Sequence, residues 1–317
     1  MKIFLSFCLS LFFVSSVPAD SNKFQKAYEM EKVSTLFAIP IYESSLSSAN
    51  SSKMQKASVS RLFYLYKKHN KIIEALLLGS KYSSIIPSKE KAWIWKSLTE
   101  IYKPLSYSDL TNVYVLAIKA KPDSFQDLLD HLHSAGQTKL FEFTYIILYK
   151  RKQYETLAKM FEQDPSLSSS PLYEGVVNIK LNPEKGKEYL NSVGMEADKD
   201  NPTKSDLLYL LGLYFRALGD YDASARYFRM SASFHWGERS KMETAKSLAL
   251  GGNFSEVCQN YNFPPSPNEE VGQIFYLICT KKDKEFLKEI QPSLSSLGAR
   301  EGGEFFQKVN SSLEKWQ

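Results

Sequence analysis

Beyond residue 17 the chain has no long apolar run, and it is poor in the residues that build most active sites. Three cysteines and four histidines are spread over 317 residues. That is too few for a disulfide-rich scaffold or for zinc modules. Neither a G-x-S-x-G turn for a nucleophilic serine nor a G-x-x-x-x-G-K-[ST] phosphate loop occurs. Alternating apolar and polar residues are scarce, which excludes a fold built on half-buried strands. Charge of one sign is lacking as well: 40 Lys and Arg face 35 Asp and Glu, a net charge of +5. The basic clusters Lys281-Lys282 and Lys150-Arg151-Lys152 are short and turn-like. No basic stripe interleaved with aromatics is found, so nucleic acid is excluded as a partner. Without a catalytic constellation or a cofactor box, the sequence reads as a non-enzyme that needs no cofactor.

Helical periodicity and aromatic residues are abundant. Leu207 to Gly237 reads LLYLLGLYFRALGDYDASARYFRMSASFHWG. Leu208, Leu211 and Phe215 fall on one face of a first helix, with Gly212 beside them. Gly219 suits a left-handed helix end, and Asp220 can cap a second helix bearing Tyr221, Ala225, Phe228 and Ala232. This pattern resembles a tetratricopeptide (TPR) repeat, a helix-turn-helix unit of about 34 residues. Ser224 and Ser231 stand where that family usually has alanine, and Trp236 where proline usually closes the unit. The resemblance implies that Gly212 lets the second helix lie close to the first. It also implies an all-α fold, an α-solenoid of stacked antiparallel helix hairpins, because such units bury their apolar faces only against each other.

The same logic repeats with decreasing clarity. Gly252-Asn253-Phe254 echoes Gly219-Asp220-Tyr221, 33 residues on. In 141–165, Arg151-Lys152-Gln153 replaces the turn glycine. Asn182-Pro183 divides 171–193 into two short helices. Further hairpins are predicted over 61–78, turning at Lys68-His69-Asn70, over 92–118, turning near Pro104-Leu105-Ser106, and over 273–290. A capping helix is predicted for 302–317. Aromatics make up 14% of the chain and fall mainly on helical faces, where packing between repeats explains them.

Lys2, the uncharged run 3–17 and Val17-Pro18-Ala19 describe a secretory signal peptide over 1–19, cut after Ala19. The apolar run is too short for a spanning helix, which needs about 20 residues. No other segment is long and apolar enough to span. The domain plan is then a signal peptide (1–19), an N-terminal helix ended by Pro40 plus a serine-rich linker (20–53), and the solenoid (54–317). Export makes Cys258 and Cys279 the two cysteines of the mature chain, either disulfide-bonded or buried as thiols. Export together with the lysine-rich, serine-rich composition leads us to expect a periplasmic or secreted protein of a bacterial envelope.

Two patterns in the sequence invite chemistry. Asp127 and His131 share a helix face that could start a metal site, with His133 pointing elsewhere. Glu43-Ser44 resembles the Glu-Ser pair of soluble lytic transglycosylases, but the glycine-containing motif that follows it in that family is absent. The TPR resemblance instead places a concave groove on the first helices of the units. It implies partner contact by Tyr209, Leu213 and Arg216, by Met242 and Lys246, and by Glu142 and Tyr149, with Asp206 and Arg239 at equivalent positions. Tyr209 and Arg216 lie off the packing stripe of Leu208, Leu211 and Phe215. The expected function is an exported interaction module for a peptide or protein. Competing readings are a structural subunit of an envelope assembly or secretion complex, or an accessory regulator of a cell-wall enzyme.

Overall fold

The computed structural model describes residues 19–135, 138–167, 171–193, 202–233, 237–262, 270–281, 305 and 307–311. The proposed signal peptide up to residue 18, Trp236, the turn at 282–283 and most of the capping helix lie outside them. Among the described residues every regular element is a helix. The helices are α1 (Ala19–Val33), α2 (Thr35–Ser47), α3 (Ser52–Lys68), α4 (Ile72–Lys81), α5 (Ser88–Ile101), α6 (Tyr107–Lys119), α7 (Gln126–Ala135) and α8 (Thr138–Lys150). They continue with α9 (Tyr154–Gln163), α10 (Pro171–Leu181), α11 (Pro183–Ser192), α12 (Pro202–Leu218), α13 (Tyr221–Ala232), α14 (Gly237–Leu250), α15 (Phe254–Asn260) and α16 (Glu270–Lys281). Most pack mainly on their chain neighbours, whereas α6 and α8 pack most extensively on each other and α10 packs also on α12. The chain is therefore an all-α, solenoid-like stack. Among the described residues no helix is long and apolar enough to cross a membrane.

One turn is used four times. Asn70, Lys152, Gly219 and Gly252 have φ of 53°, 59°, 82° and 87°, each two residues before a helix begins. In each case the following N–H reaches back five residues: Lys71 to Tyr66 O (2.8 Å), Gln153 to Leu148 O (2.9 Å), Asp220 to Phe215 O (3.0 Å) and Asn253 to Leu248 O (2.8 Å). This left-handed closure satisfies carbonyls that a helix end leaves without partners. Lys152 occupies the conformation without being glycine, so the turn survives where its most permissive residue is missing.

The N-terminal region departs from the expected plan. The first break falls at Ser34, whose side chain accepts a bond from the Phe37 N–H (3.3 Å) and caps α2. Pro40, expected to end a helix, lies inside α2. A proline there forfeits a backbone bond at a cost of about 3 kcal/mol. The offset is burial: Leu36 to Tyr42 are buried without exception. The expected linker is helical at 44–47 and from 52 onward, and Ser45 and Leu46 are buried. Glu31 binds α1 to its neighbours by accepting from Tyr42 Oη (3.0 Å) and from Arg61 Nε (2.9 Å) and Nη2 (2.5 Å). The buried residues of α1 and α2, from Ala27 to Leu46, thus share the core that continues into α3 and beyond.

Gly212 and the two serines give α12, α13 and α14 their close approach. A Cβ on Gly212 would lie 2.7–2.8 Å from three ring atoms of Phe228. Ser224 Oγ donates to Gly212 O (2.7 Å) and also meets Ser247 Oγ on α14 (2.8 Å). Ser231 donates to Ser205 O (3.0 Å) and accepts from Ser240 Oγ (3.1 Å). All five serines are buried. They fill small sites as alanine would, and they also bond the helices across each interface. At the far end a disulfide joins Cys258 on α15 to Cys279 on α16, which decides between the two states open to that pair.

Candidate interaction seam

Tyrosines of α8, α10 and α12 form a candidate seam whose parts are related through Arg239 of α14. It starts from a packed aromatic cluster. The Tyr145 and Tyr173 rings meet edge to face at 4.7 Å, Phe141 meets Tyr173 at 5.7 Å, and Tyr145 stacks on Tyr149 at 5.7 Å. Tyr145 is buried, and its hydroxyl donates to Tyr173 O (3.4 Å). Burial drives its phenol pKa far up, the neighbouring tyrosines add to this, and Arg239 of α14 opposes it. Tyr173 is pushed up by burial and then by the Glu142 carboxylate, again against Arg239. Tyr102 is pushed up to about 12 by burial and by Glu142. Glu142 and Arg239, opposite in sign, therefore both act on the tyrosines of this seam.

Toward α12 the seam is built on Arg239. Its guanidinium lies 5.2 Å above the Tyr209 ring, and its Nε donates to Tyr209 Oη (3.1 Å). Tyr209 is only 3% exposed and packs edge-on against Phe228 at 5.2 Å. It was expected off the packing stripe; the structure puts it inside. The reason is that α12 is enclosed by α10, α11 and α13, so its buried face extends over Leu207 to Leu211 and is wider than one stripe.

Arg216 is drawn into packing too. It meets Glu243 of α14 in an ion pair at 2.5 Å and lies over the Phe228 ring at 5.2 Å. Lys246 donates to the other Glu243 oxygen at 2.8 Å. Burial pushes the Glu243 carboxyl up, but the two cations outweigh it and hold it at about 2. Arg216 and Lys246, expected to contact a partner, are joined here through a buried acid that sequence reasoning missed. The sequence did carry a signal for it, the i, i+3 spacing of Glu243 and Lys246 on one helix face. Leu213, Met242, Glu142 and Tyr149 are half-buried, and Arg239 is exposed.

The two chemical patterns do not assemble. His133 pairs with Asp164, and Asp130 accepts from Gln126 (2.9 Å). Among the described residues no three potential ligands converge on a metal position. Glu43 accepts a bond from Tyr66 Oη (2.5 Å). The chain matches no protein-family model, no curated protein and no solved structure.

Proposed function

We propose that the chain is an exported, TPR-like interaction module that holds a peptide or protein segment along the seam of α8, α10, α12 and α14, and that it is not an enzyme. The observation that carries this reading is the placement of Arg239. Its charge is exposed, supported from below by the buried Tyr209 ring, and it acts on the phenols of buried Tyr145 and half-buried Tyr173. An arginine braced on aromatics is the kind of anchor on which interfaces concentrate binding energy. The repeated left-handed turn and the Gly212–Phe228 approach support the TPR resemblance. The Cys258–Cys279 disulfide supports export, since such bonds persist in oxidising compartments. The uncharged run between Lys2 and Pro18 supports a cleaved signal peptide.

Arg239→Glu tests the groove. Wild type and variant are used as bait in a native envelope extract and the captured proteins compared by mass spectrometry. Loss of a wild-type partner by a variant that stays folded by circular dichroism is expected; identical capture removes the seam from consideration. N-terminal sequencing of the secreted chain tests export: a start after Ala19 is expected, and a start at Met1 ends the reading.

A further inference from the structure

A second surface, away from that seam, has its own shape and charge. Ser88, Ala92, Trp95 and Thr99 stand at i, i+4, i+7 and i+11, so they form one stripe of α5. With Lys91, Lys96 and Tyr107 at the start of α6 they line an open cleft of about 650 Å³, within the size range of ligand sites. At 100° per residue, Lys91 and Lys96 sit roughly 70° to either side of the centre of the stripe. The stripe is thus an apolar and hydroxyl floor with an ammonium group along each edge. Trp95 meets Tyr107 edge to face at 5.5 Å and Tyr114 at 5.8 Å, which fixes the indole between the two helices. Tyr107 is 56% exposed, a large aromatic surface left open at the cleft mouth.

The charge of the cleft is one-sided. None of its lining residues is acidic. Of the acids nearest along the chain, Glu90 accepts from Lys67 (3.1 Å) and Asp109 accepts from the Ser106 N–H (2.9 Å), while Glu100, next to Thr99, is exposed and outside the lining. Among the described residues neither Lys91 nor Lys96 pairs with a carboxylate, whereas Lys32, Lys67, Lys150, Lys159, Lys241 and Lys246 each do.

We infer that this cleft binds an acidic amphipathic segment of a partner protein. A helix offering one apolar row flanked on both sides by Asp or Glu matches it: the row meets Trp95 and Tyr107, and the carboxylates meet Lys91 and Lys96. This is helix-in-groove recognition with charges setting orientation. A sugar ring fits less well. Trp95 and Tyr107 stand at 69° to each other, an angled wall and not a flat platform.

The test uses the full mature chain and a fluorescein-labelled synthetic helix of about 15 residues, long enough to be helical when bound. The probe carries Leu at i, i+3, i+4 and i+7 and Glu at the flanking positions; a matched peptide carries Gln in place of Glu. Anisotropy titration is expected to show the Glu peptide binding at least about tenfold more tightly than the Gln peptide. K91E/K96E should remove that preference and Tyr107→Ala should weaken both peptides, each at an unchanged melting temperature. Arg239→Glu should leave this binding intact, which separates the cleft from the groove proposed above. Equal binding of the two peptides, no binding of either, or full binding by K91E/K96E overturns the inference. So does a sulfated oligosaccharide that binds the cleft when the Glu peptide does not, or self-association abolished by K91E/K96E.

Discussion

The Phe228 ring covers Gly212 so closely that one added methyl group would lie 2.7 Å from it. Gly212→Ala therefore sets two effects against each other. Replacing a helical glycine gains about 1 kcal/mol of helix propensity. Forcing a Cβ against a fully buried ring costs about 1–3 kcal/mol, and Phe228 is 0% exposed. The clash should win, and Gly212→Leu should be worse. Gly237, at the start of α14, has open space around its Cβ position. Gly237→Ala should leave the melting temperature unchanged or raise it. Thermal melts of the three variants check this; a stable Gly212→Leu would mean that α12 and α13 do not meet there.

Much of this architecture was legible before the structure. The turns at 70, 152, 219 and 252 were all located from the chain, although only two contain glycine, because the flanking apolar periods end and restart there. Gly212 was legible because a glycine amid leucines needs a reason. What was not legible depended on burial across elements. Pro40 reads as a stop, yet α2 is enclosed so fully that it runs through. The serine-rich stretch 44–53 reads as a linker because serine is indifferent to periodicity, yet Ser45 is buried against Ser58 at 3.4 Å. Tyr209 reads as an exposed groove residue because one helix shows only its own stripe; its second face is buried by α10 and α13, which no local pattern reveals. The α5 cleft was missed because lysines beside aromatics look like an ordinary solvated edge.

The Glu243 triad makes stability depend on acid. A carboxyl held at about 2 in the folded state, against an ordinary 4.5, stabilises the fold above pH 4.5. That contribution fades as pH falls from 4.5 toward 2, since the unfolded chain takes up the proton first. Glu243→Gln strands two cations and should cost about 3 kcal/mol near neutral pH. Across the same acid window its stability should fall less steeply than that of the wild type. Urea melts at pH 7, 5, 4 and 3 measure both effects. Parallel pH profiles would show that the folded state does not lower the pKa of this carboxyl.

The disulfide closes a loop between residues 21 apart. A loop of that size constrains the unfolded chain by about 3 kcal/mol. Cys258→Ser/Cys279→Ser should lower the melting temperature, and a reducing agent should do the same to the wild type and nothing to the variant. Alkylation of the denatured, unreduced mature chain should label neither cysteine. Two labelled thiols would remove the bond and one support for export.

Tyr209 and Arg239 separate packing from recognition. The Tyr209 ring fills a buried site between Phe228 and the Arg239 guanidinium, so Tyr209→Ala should cost roughly 3 kcal/mol through the cavity it leaves. Tyr209→Phe keeps the ring and removes the hydroxyl that accepts from Arg239 Nε. Its cost should be near 1 kcal/mol, with Arg239 less firmly placed. Arg239→Ala deletes the same bond together with the charge over the ring, so it should cost at least about 1 kcal/mol while leaving the fold intact. If the seam binds a partner, loss of affinity should therefore follow Arg239→Ala first, Tyr209→Phe second, and appear in Tyr209→Ala only together with loss of the fold. A surface plasmon resonance series against the captured partner, set beside the melting temperatures, reads that order. A Tyr209→Phe variant that binds as well as wild type while Arg239→Ala does not would mean that the guanidinium needs no brace. Full binding by Arg239→Ala would move the partner off this seam.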